Sequence, residues 1–320
     1  MESSIKPTLA IIIPCYNEEV ILLESITTLL GCIQDLIKKD KISEGSFCYF
    51  VDDGSTDATW YLLEDQHRSN SSVKCLKLAG NVGHQNALLA GLLSVPDKID
   101  CVISIDADLQ DDVTVIEKMI DEYNNGSEIV YGVRKNRTSD TWFKRNTALI
   151  FYKLMRDMGV KVMENHADFR LLGKKALATL SQFEERHIFL RGIFASMGFS
   201  TSIVEYDRLK RIGGEPKYTL RTMIALAWNG VTSFSVVPLR LISMMGMLFF
   251  VGSIIMGAWV LGAKLFSESV LPGWASTVLP LYFIGGIQLL AIGIIGEYLG
   301  KVYMEVKHRP RFIREKELED

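Results

Sequence analysis

Residues 101–110 read Cys-Val-Ile-Ser-Ile-Asp-Ala-Asp-Leu-Gln, an apolar, β-branched run that stops abruptly at two carboxylates spaced i, i+2. The apolar part predicts a buried strand. Asp106 and Asp108 then stand where a strand leaves its sheet, the usual ligand crevice of an open α/β fold. Two hard oxygen ligands there suit a divalent cation, Mg²⁺ or Mn²⁺, that also takes phosphate oxygens. Solvated loop carboxylates, or an N-cap for a helix over 113–123, are the plain alternatives. Two other polar runs end apolar stretches in the same way: Pro14-Cys15-Tyr16-Asn17-Glu18 and Asp52-Asp53-Gly54-Ser55-Thr56-Asp57.

The elements that must position these runs alternate. Leu9–Ile13, Phe47–Val51, Val73–Leu78, Cys101–Ile105 and Glu128–Val133 read as strands. Between them, 18–37 (Val20, Leu23, Ile26, Leu30 and Ile33 at helical spacing), 83–93 and 113–123 read as helices, and Ser55 or Thr56 can cap another. Such alternation predicts an α/β fold with a mainly parallel sheet and helices on both faces. Parallel strand ends share one edge, so the three polar runs are expected to converge. A crevice so rich in carboxylates repels phosphate unless a metal bridges them, yet it accepts hydrogen bonds from a uracil N–H or from sugar hydroxyls. A nucleoside diphosphate sugar with its cation meets both demands. No Gly-x-Gly-x-x-Gly or Walker pattern follows any strand, which argues against a dinucleotide dehydrogenase or a P-loop NTPase.

The net charge of −3 over 320 residues gives no basic field for nucleic acid. The apolar residues cluster late. Residues 241–263 and 271–296 carry no charge, and each exceeds the roughly 20 residues that cross a bilayer as a helix. Two buried core helices are the alternative. Arg208, Lys210, Arg211, Lys217, Arg221 and Arg240 precede the first run, and Lys301, Lys307, Arg309, Arg311, Arg314 and Lys316 follow the second. The connection 264–270 holds only Lys264 and Glu268. That asymmetry places both termini in the cytoplasm, and residues 1–30 show no signal peptide. The five cysteines all precede the runs and form no Cys-x-x-Cys pair, as expected for reduced, buried side chains. Residues 143–158 and 219–235 read as amphipathic segments lying along a membrane surface, or as ordinary helices packed on the sheet. The expected division is a cytoplasmic domain over 1–235, two transmembrane helices (about 241–263 and 274–296) within 236–300, and a basic cytoplasmic tail over 301–320. Glycines 246, 252, 257, 285, 286, 293 and 296 allow close helix packing, which admits a homo-oligomer as readily as packing within the hairpin.

Six strings in order carry a family resemblance: Ile13-Pro-Cys-Tyr-Asn-Glu-Glu19, Val51-Asp-Asp-Gly-Ser-Thr-Asp57, Asn81-Val-Gly-His-Gln-Asn-Ala-Leu88, Asp106-Ala-Asp-Leu-Gln-Asp111, Ala167-Asp-Phe-Arg-Leu171, and Gly296-Glu-Tyr-Leu-Gly-Lys301 with Glu305-Val-Lys-His-Arg-Pro310. With the two apolar runs, they make the chain resemble an inverting glycosyltransferase of family 2 with the GT-A (Rossmann-like) fold. More narrowly it resembles the polyprenyl-phosphate glycosyltransferases, the group with dolichol-phosphate mannose synthase and bactoprenol glucosyltransferase. The likeness runs nearly end to end and is greatest to the bactoprenol glucosyltransferases of O-antigen and wall-polymer modification.

By matching position, the resemblance implies that Pro14, Tyr16, Glu18 and Asp53, with Asp52 as the alternative, hold the uridine. It implies that Asp106, Asp108 and Gln110 hold the metal or the nucleotide beside it. Arg134, and Arg137 or Arg145 beyond it, would meet the acceptor phosphate, and Asp168 and Arg170 would face the reacting centre. Two departures stand out. Asp112 occupies a position where the family often has Pro, which bears on the helix start. Gly214-Glu-Pro-Lys-Tyr218 lacks the family's usual Ser, which weakens a phosphate role for Lys217. His84 and His187 fit either phosphate contacts or scaffold roles. The implied reaction moves one hexose, glucose from UDP-glucose, onto undecaprenyl phosphate at the cytoplasmic face of a bacterial inner membrane. N-acetylglucosamine, mannose or an aminoarabinose derivative are alternative sugars, and a non-catalytic membrane scaffold is the rival from another class. A processive polysaccharide synthase would want more spans and a Gln-x-x-Arg-Trp motif, and the chain has neither.

Overall fold

β1 (Leu9–Cys15) and β2 (Phe47–Asp52) are buried along their whole length. Unbroken apolar runs of this kind belong to strands covered on both faces. The computed structural model describes residues 6–135, 166–186, 189–207, 237–266 and 274–319. In chain order the strands continue as β3 (Val73–Leu78), β4 (Cys101–Ser104), β5 (Ile129–Arg134), β6 (His166–Gly173), β7 (Thr201–Tyr206) and β8 (Arg314–Leu318). The helices are α1 (Leu22–Lys38), α2 (Thr59–Ser69), α3 (His84–Ser94), α4 (Ile116–Asn124), α5 (Lys174–Leu180), α6 (Leu190–Ser196), α7 (Val237–Phe266) and α8 (Trp274–Val306). The chain divides into two units, one holding the eight strands and the other the two long helices.

The strands form one sheet in the order β7-β5-β6-β4-β1-β2-β3-β8. β1 pairs in parallel with β2 on one side and β4 on the other, so the connections reverse direction at β1. The sheet is less uniformly parallel than the alternation implies. β6 lies antiparallel between β4 and β5, and β8 runs antiparallel along β3. Residues 301–320 are therefore no simple tail. α8 continues to Val306, and Arg314–Leu318 closes the sheet edge with Arg-Glu-Lys-Glu-Leu. Its charges hide the strand from a hydropathy reading, yet charged side chains suit an edge. Tyr49 Oη donates to Glu317, Lys77 pairs with Glu315 at 3.0 Å, and Lys316 pairs with Glu64 at 2.6 Å.

α1 starts later than its pattern suggests. Asn17 takes a left-handed backbone (φ 54°), and the Glu18 carbonyl accepts from the Ile21 and Leu22 amides. This turn shifts the buried face to Leu22, Ser25, Ile26, Leu29, Ile33 and Leu36. Val20, expected on that face, is 93% exposed. α3 approaches the sheet closely at Gly91. A Cβ there would lie 2.5 Å from Ile12 Cγ2 and 2.8 Å from Val51 Cγ2, so only glycine lets α3 settle on β1 and β2.

In the helical unit, Phe249 and Phe283 pack edge to face at 5.6 Å. Large apolar side chains stand exposed along both helices, among them Met244, Leu248, Trp259, Leu289 and Ile292. Phe283–Val306 is long and apolar enough, by length and composition, to cross a membrane, and Val237–Phe249 is a shorter apolar stretch. The expected amphipathic segments at 143–158 and 219–235 lie outside the described residues.

Candidate active site

The loops leaving β1, β2 and β4 meet at the point where strand order reverses, the place where open α/β sheets bind ligands. Pro14 is buried within β1, and Tyr16 stands exposed just past its end. The first two loops are bonded to each other. Asn17 Oδ1 accepts from the Thr56 amide at 2.8 Å, and the Asn17 amide donates to Ser55 Oγ at 3.0 Å. Asp57 accepts from the Glu19 and Thr59 amides, Glu19 Oε2 from the Ala58 amide, and Thr59 Oγ1 from the Glu18 amide. Asn17, Glu19 and Asp57 are thus structural fasteners. Gly54 (φ 67°) makes the arrangement possible, because a Cβ there would fall 2.6 Å from the Gly80 carbonyl carbon.

The adjacent carboxylates Asp52 and Asp53 have different work. Both oxygens of Asp53 accept backbone amides, from Val82 at 2.7 Å and Gly83 at 3.0 Å, and so fix the turn into α3. Asp52 Oδ1 accepts from the Ser55 amide at 3.2 Å, while its Oδ2 is buried without a hydrogen-bond partner among the described residues. Burial raises the pKa of both carboxyls.

The loop after β4 is held from several sides. Ser25 Oγ donates to the Ala107 carbonyl, and the Ile105 amide donates to Ile12 O at 3.1 Å. Leu109 adopts a left-handed conformation (φ 50°) between Asp108 and Gln110, an uncommon state for a branched residue that tends to occur at functional sites. The Gln110 amide donates back to Asp108 Oδ1 at 3.3 Å. Asp112 caps the turn ahead of α4, accepting from the Thr114 amide at 2.9 Å. The capping role thus falls to Asp112, where the family often has Pro.

Asp106 Oδ1 is buried with no hydrogen-bond partner among the described residues, and lies 3.5 Å from His84 Nε2. Burial raises the Asp106 pKa to about 6, against the pull of His84. An oxygen so placed fits a cation ligand. Among the described residues no three His, Cys, Asp or Glu side chains gather to hold a metal by themselves. A cation at Asp106, Asp108 and Gln110 therefore needs ligand oxygens, as from a diphosphate.

β6 brings Asp168 to this edge, where Ser104 Oγ donates to its carbonyl at 2.5 Å. Arg170 Nη2 donates to Asp168 Oδ1. Arg191, at the start of α6, donates from Nε to Oδ1 and from Nη2 to Oδ2, each at 3.1 Å. His84 Nε2 lies 3.7 Å from Oδ2. Burial pushes the Asp168 pKa up, but Arg191, His84 and Arg170 outweigh it and hold the carboxyl well below the usual range. Burial likewise opposes charge on His84, and Asp168 and Asp106 outweigh it, so its pKa is raised. Arg170 is fully buried, its guanidinium 4.9 Å from the Phe194 ring centre.

Arg134 has its own carboxylate. Its Nη2 donates to Asp111 Oδ1 at 3.0 Å and its Nε to Tyr206 Oη at 3.3 Å, while Tyr206 Oη donates to the same Asp111 oxygen. Asp106, Asp168, His84, Arg170 and Arg191 are joined, whereas Arg134 belongs to this neighbouring cluster. Arg137, Arg145, His187 and Lys217 lie outside the described residues. Arg191 and Asp111 had no role in the sequence reading. Arg191 was legible as the lone cation in Ile188-Phe-Leu-Arg-Gly-Ile-Phe-Ala195. Asp111 was one carboxylate among several.

The sheet has a GT-A-like α/β fold, with the carboxylate edge at its switch point. The glycosyl transferase family 2 model matches residues 10–181. The uncharacterized glycosyltransferase YkoT of Bacillus subtilis is 48% identical over 307 residues, 96% of this chain and 91% of that protein. A bactoprenol glucosyl transferase of Shigella phage SfV is 34% identical over 308 residues, covering 95% and 97%. A prophage bactoprenol glucosyl transferase homolog of Escherichia coli K12 is 34% identical over 308 residues, covering 95% and 97%. The chain belongs to glycosyl transferase family 2, and it is a glycosyltransferase.

Proposed function

We propose that the enzyme transfers a single hexose, glucose from UDP-glucose, to a polyprenyl phosphate at the cytoplasmic face of a bacterial inner membrane, with inversion at the anomeric carbon. The product would supply lipid-linked sugar for O-antigen or envelope glycan modification. The observation that carries this reading is Asp106 Oδ1, buried beside Asp108 at the switch point with no hydrogen-bond partner among the described residues. Near full-length identity to proteins named bactoprenol glucosyl transferases supports the lipid acceptor.

Asp106, Asp108 and Gln110 would hold Mg²⁺ or Mn²⁺, which when bound supplies positive charge against a departing diphosphate. Pro14, Tyr16, Glu18 and Asp52 would border the uridine, with Asp53 shaping the turn behind it. The acceptor phosphate monoester has a second pKa near ~6 and is largely dianionic at neutral pH, so it needs no strong base. One of its oxygens attacks the anomeric carbon from the face opposite UDP. The bond from that carbon to the β-phosphate oxygen breaks, and UDP leaves with the electron pair. Asp168, gripped by Arg170 and Arg191, positions rather than abstracts a proton.

Two membrane passes fit this reading better than one. β8 follows the candidate span, yet pairs with β3 of the catalytic sheet. Any crossings between β7 and β8 must therefore be even in number. α7 supplies the second pass, and both termini share the cytoplasm with the sheet. A cysteine at Ser269 in the connection is expected to react with a membrane-impermeant maleimide on intact cells. Reaction only after permeabilisation would contradict this topology. The transfer itself is tested by offering UDP-glucose, UDP-N-acetylglucosamine and GDP-mannose in competition to membranes containing the enzyme and weighing the lipid product. A hexosyl lipid phosphate made from UDP-glucose is expected. Another sugar would overturn the donor, polymer would favour a synthase, and no product would favour a scaffold.

A further inference from the structure

We propose that His84 is a positioning residue that ties the cation side of the crevice to Asp168 through a single ring N–H. This inference rests on the transfer reading above and concerns how the two halves of that site are joined. His84 opens α3, and the backbone that carries it is fixed on both sides. Ahead of it, the Val82 and Gly83 amides donate to Asp53 at 2.7 and 3.0 Å. Behind it, Asn86 Nδ2 donates to Val82 O at 2.9 Å. Gln85 Oε1 accepts from the Leu190 amide at 3.2 Å, which joins the same turn to the start of α6. With α3 seated on β1 and β2 at Gly91, the imidazole moves by side-chain rotation and not by a shift of the helix.

The ring lies between two carboxylates from neighbouring strands. Nε2 is 3.5 Å from Asp106 Oδ1, just past β4, and 3.7 Å from Asp168 Oδ2, on β6. Ionised carboxylates only accept, so Nε2 carries the hydrogen. Both distances exceed the roughly 2.7–3.2 Å of an N–H···O bond, and one N–H closes on one oxygen at a time. The two oxygens are not equivalent. Asp106 Oδ1 has no hydrogen-bond partner among the described residues and fits a cation ligand. Asp168 is held by Arg170 at Oδ1 and by Arg191 at both oxygens. With Asp106 Oδ1 engaged by a cation, the His84 N–H is left to Asp168 Oδ2. Ser104 Oγ already joins β4 to β6 at the Asp168 carbonyl, and His84 acts on the side chain. The carboxylate assigned to the reacting centre is thus set in place once the donor and its cation are bound.

The test uses full-length enzyme in detergent with undecaprenyl phosphate, UDP-glucose and Mn²⁺. His84→Phe keeps a ring and removes the N–H. It is expected to lower kcat about tenfold or more, the scale of one hydrogen bond to a charged group. The KM for UDP-glucose is expected to stay within about twofold, because the lost contact orients the reacting centre and does not hold the donor. Mn²⁺ binding in the presence of UDP, read by EPR, is expected to stay within about twofold of wild type or to tighten. His84→Gln places an amide N–H near the Nε2 position and restores most of the rate, whereas His84→Asn, with a shorter reach, does not. The ring is 43% exposed, so its replacement disturbs little packing. Retained UDP binding by calorimetry checks the fold, and His84→Ala serves if His84→Phe does not fold. A kcat within about twofold of wild type in His84→Phe would overturn the proposal. So would His84→Gln no better than His84→Phe, or a tenfold loss of Mn²⁺ affinity, which would make His84 part of the cation site itself. Wild-type enzyme that forms no lipid-linked sugar would instead refute the reading beneath it.

Discussion

Asp106→Asn is expected to abolish transfer, by at least about 10²-fold, while the protein melts at or above the wild-type temperature. Loss of activity with gain of stability follows from one atom. Asp106 Oδ1 is buried without a hydrogen bond among the described residues, and burial raises the group to about 6. An unfolded aspartate titrates near ~3.9. Between these values the folded state binds more protons than the unfolded state, so stability falls as pH rises from about 4 to about 6. At pH 7.5 the wild type carries the whole penalty, and asparagine carries none. The side chain is 38% exposed, so solvent screening reduces the effect to on the order of 1 kcal/mol, a few degrees in Tm. Activity moves the other way with pH, because a cation ligand must be deprotonated. The apparent affinity for Mg²⁺ or Mn²⁺ is expected to weaken as pH falls through about 6. Asp108→Ala is expected to lose transfer and stay folded. Full activity in either variant would sink the metal assignment.

Asp111→Ala is expected to destabilise the protein by about 3–5 kcal/mol, the range for removing one partner of a buried ion pair. Its carboxylate is 1% exposed and takes Arg134 and Tyr206 together. Removal leaves a guanidinium and a phenol facing a void, beside Phe169, whose ring packs edge-on to Tyr206 at 5.4 Å. A drop of roughly 10 °C in Tm should accompany it. Asp111→Asn keeps one acceptor and should lose less. Denaturation curves of the three proteins decide the matter, and a cost below about 1 kcal/mol for Asp111→Ala would show that Arg134 has other support. Asp111 and Asp108 stand three residues apart in one acidic run, yet one holds the fold and the other is assigned to the ligand.

That contrast shows where sequence reading works here and where it stops. The buried strands β1, β2 and β4 were plain because both faces of the sheet are covered, so each reads as an unbroken apolar run. Their order put Asp52, Asp106 and Asp108 on one edge without knowledge of any side-chain contact. β6 and β8 were not plain. β6 interleaves charged and apolar residues across from β4, with Arg170 buried because Asp168 answers it. β8 is a charged edge strand. The division of labour among carboxylates was also out of reach. Asp53, Asp57, Asp111 and Asp112 are each fixed by a partner distant in sequence or by a local turn, and composition does not distinguish them from Asp106.

The most direct test of the central claim is the anomeric configuration of the lipid product made from UDP-α-glucose and undecaprenyl phosphate by purified enzyme, read by NMR. Direct attack by the phosphate opposite UDP gives a β-glucosyl lipid phosphate. An α-linked product, or free glucose with no lipid-linked sugar, would contradict the account.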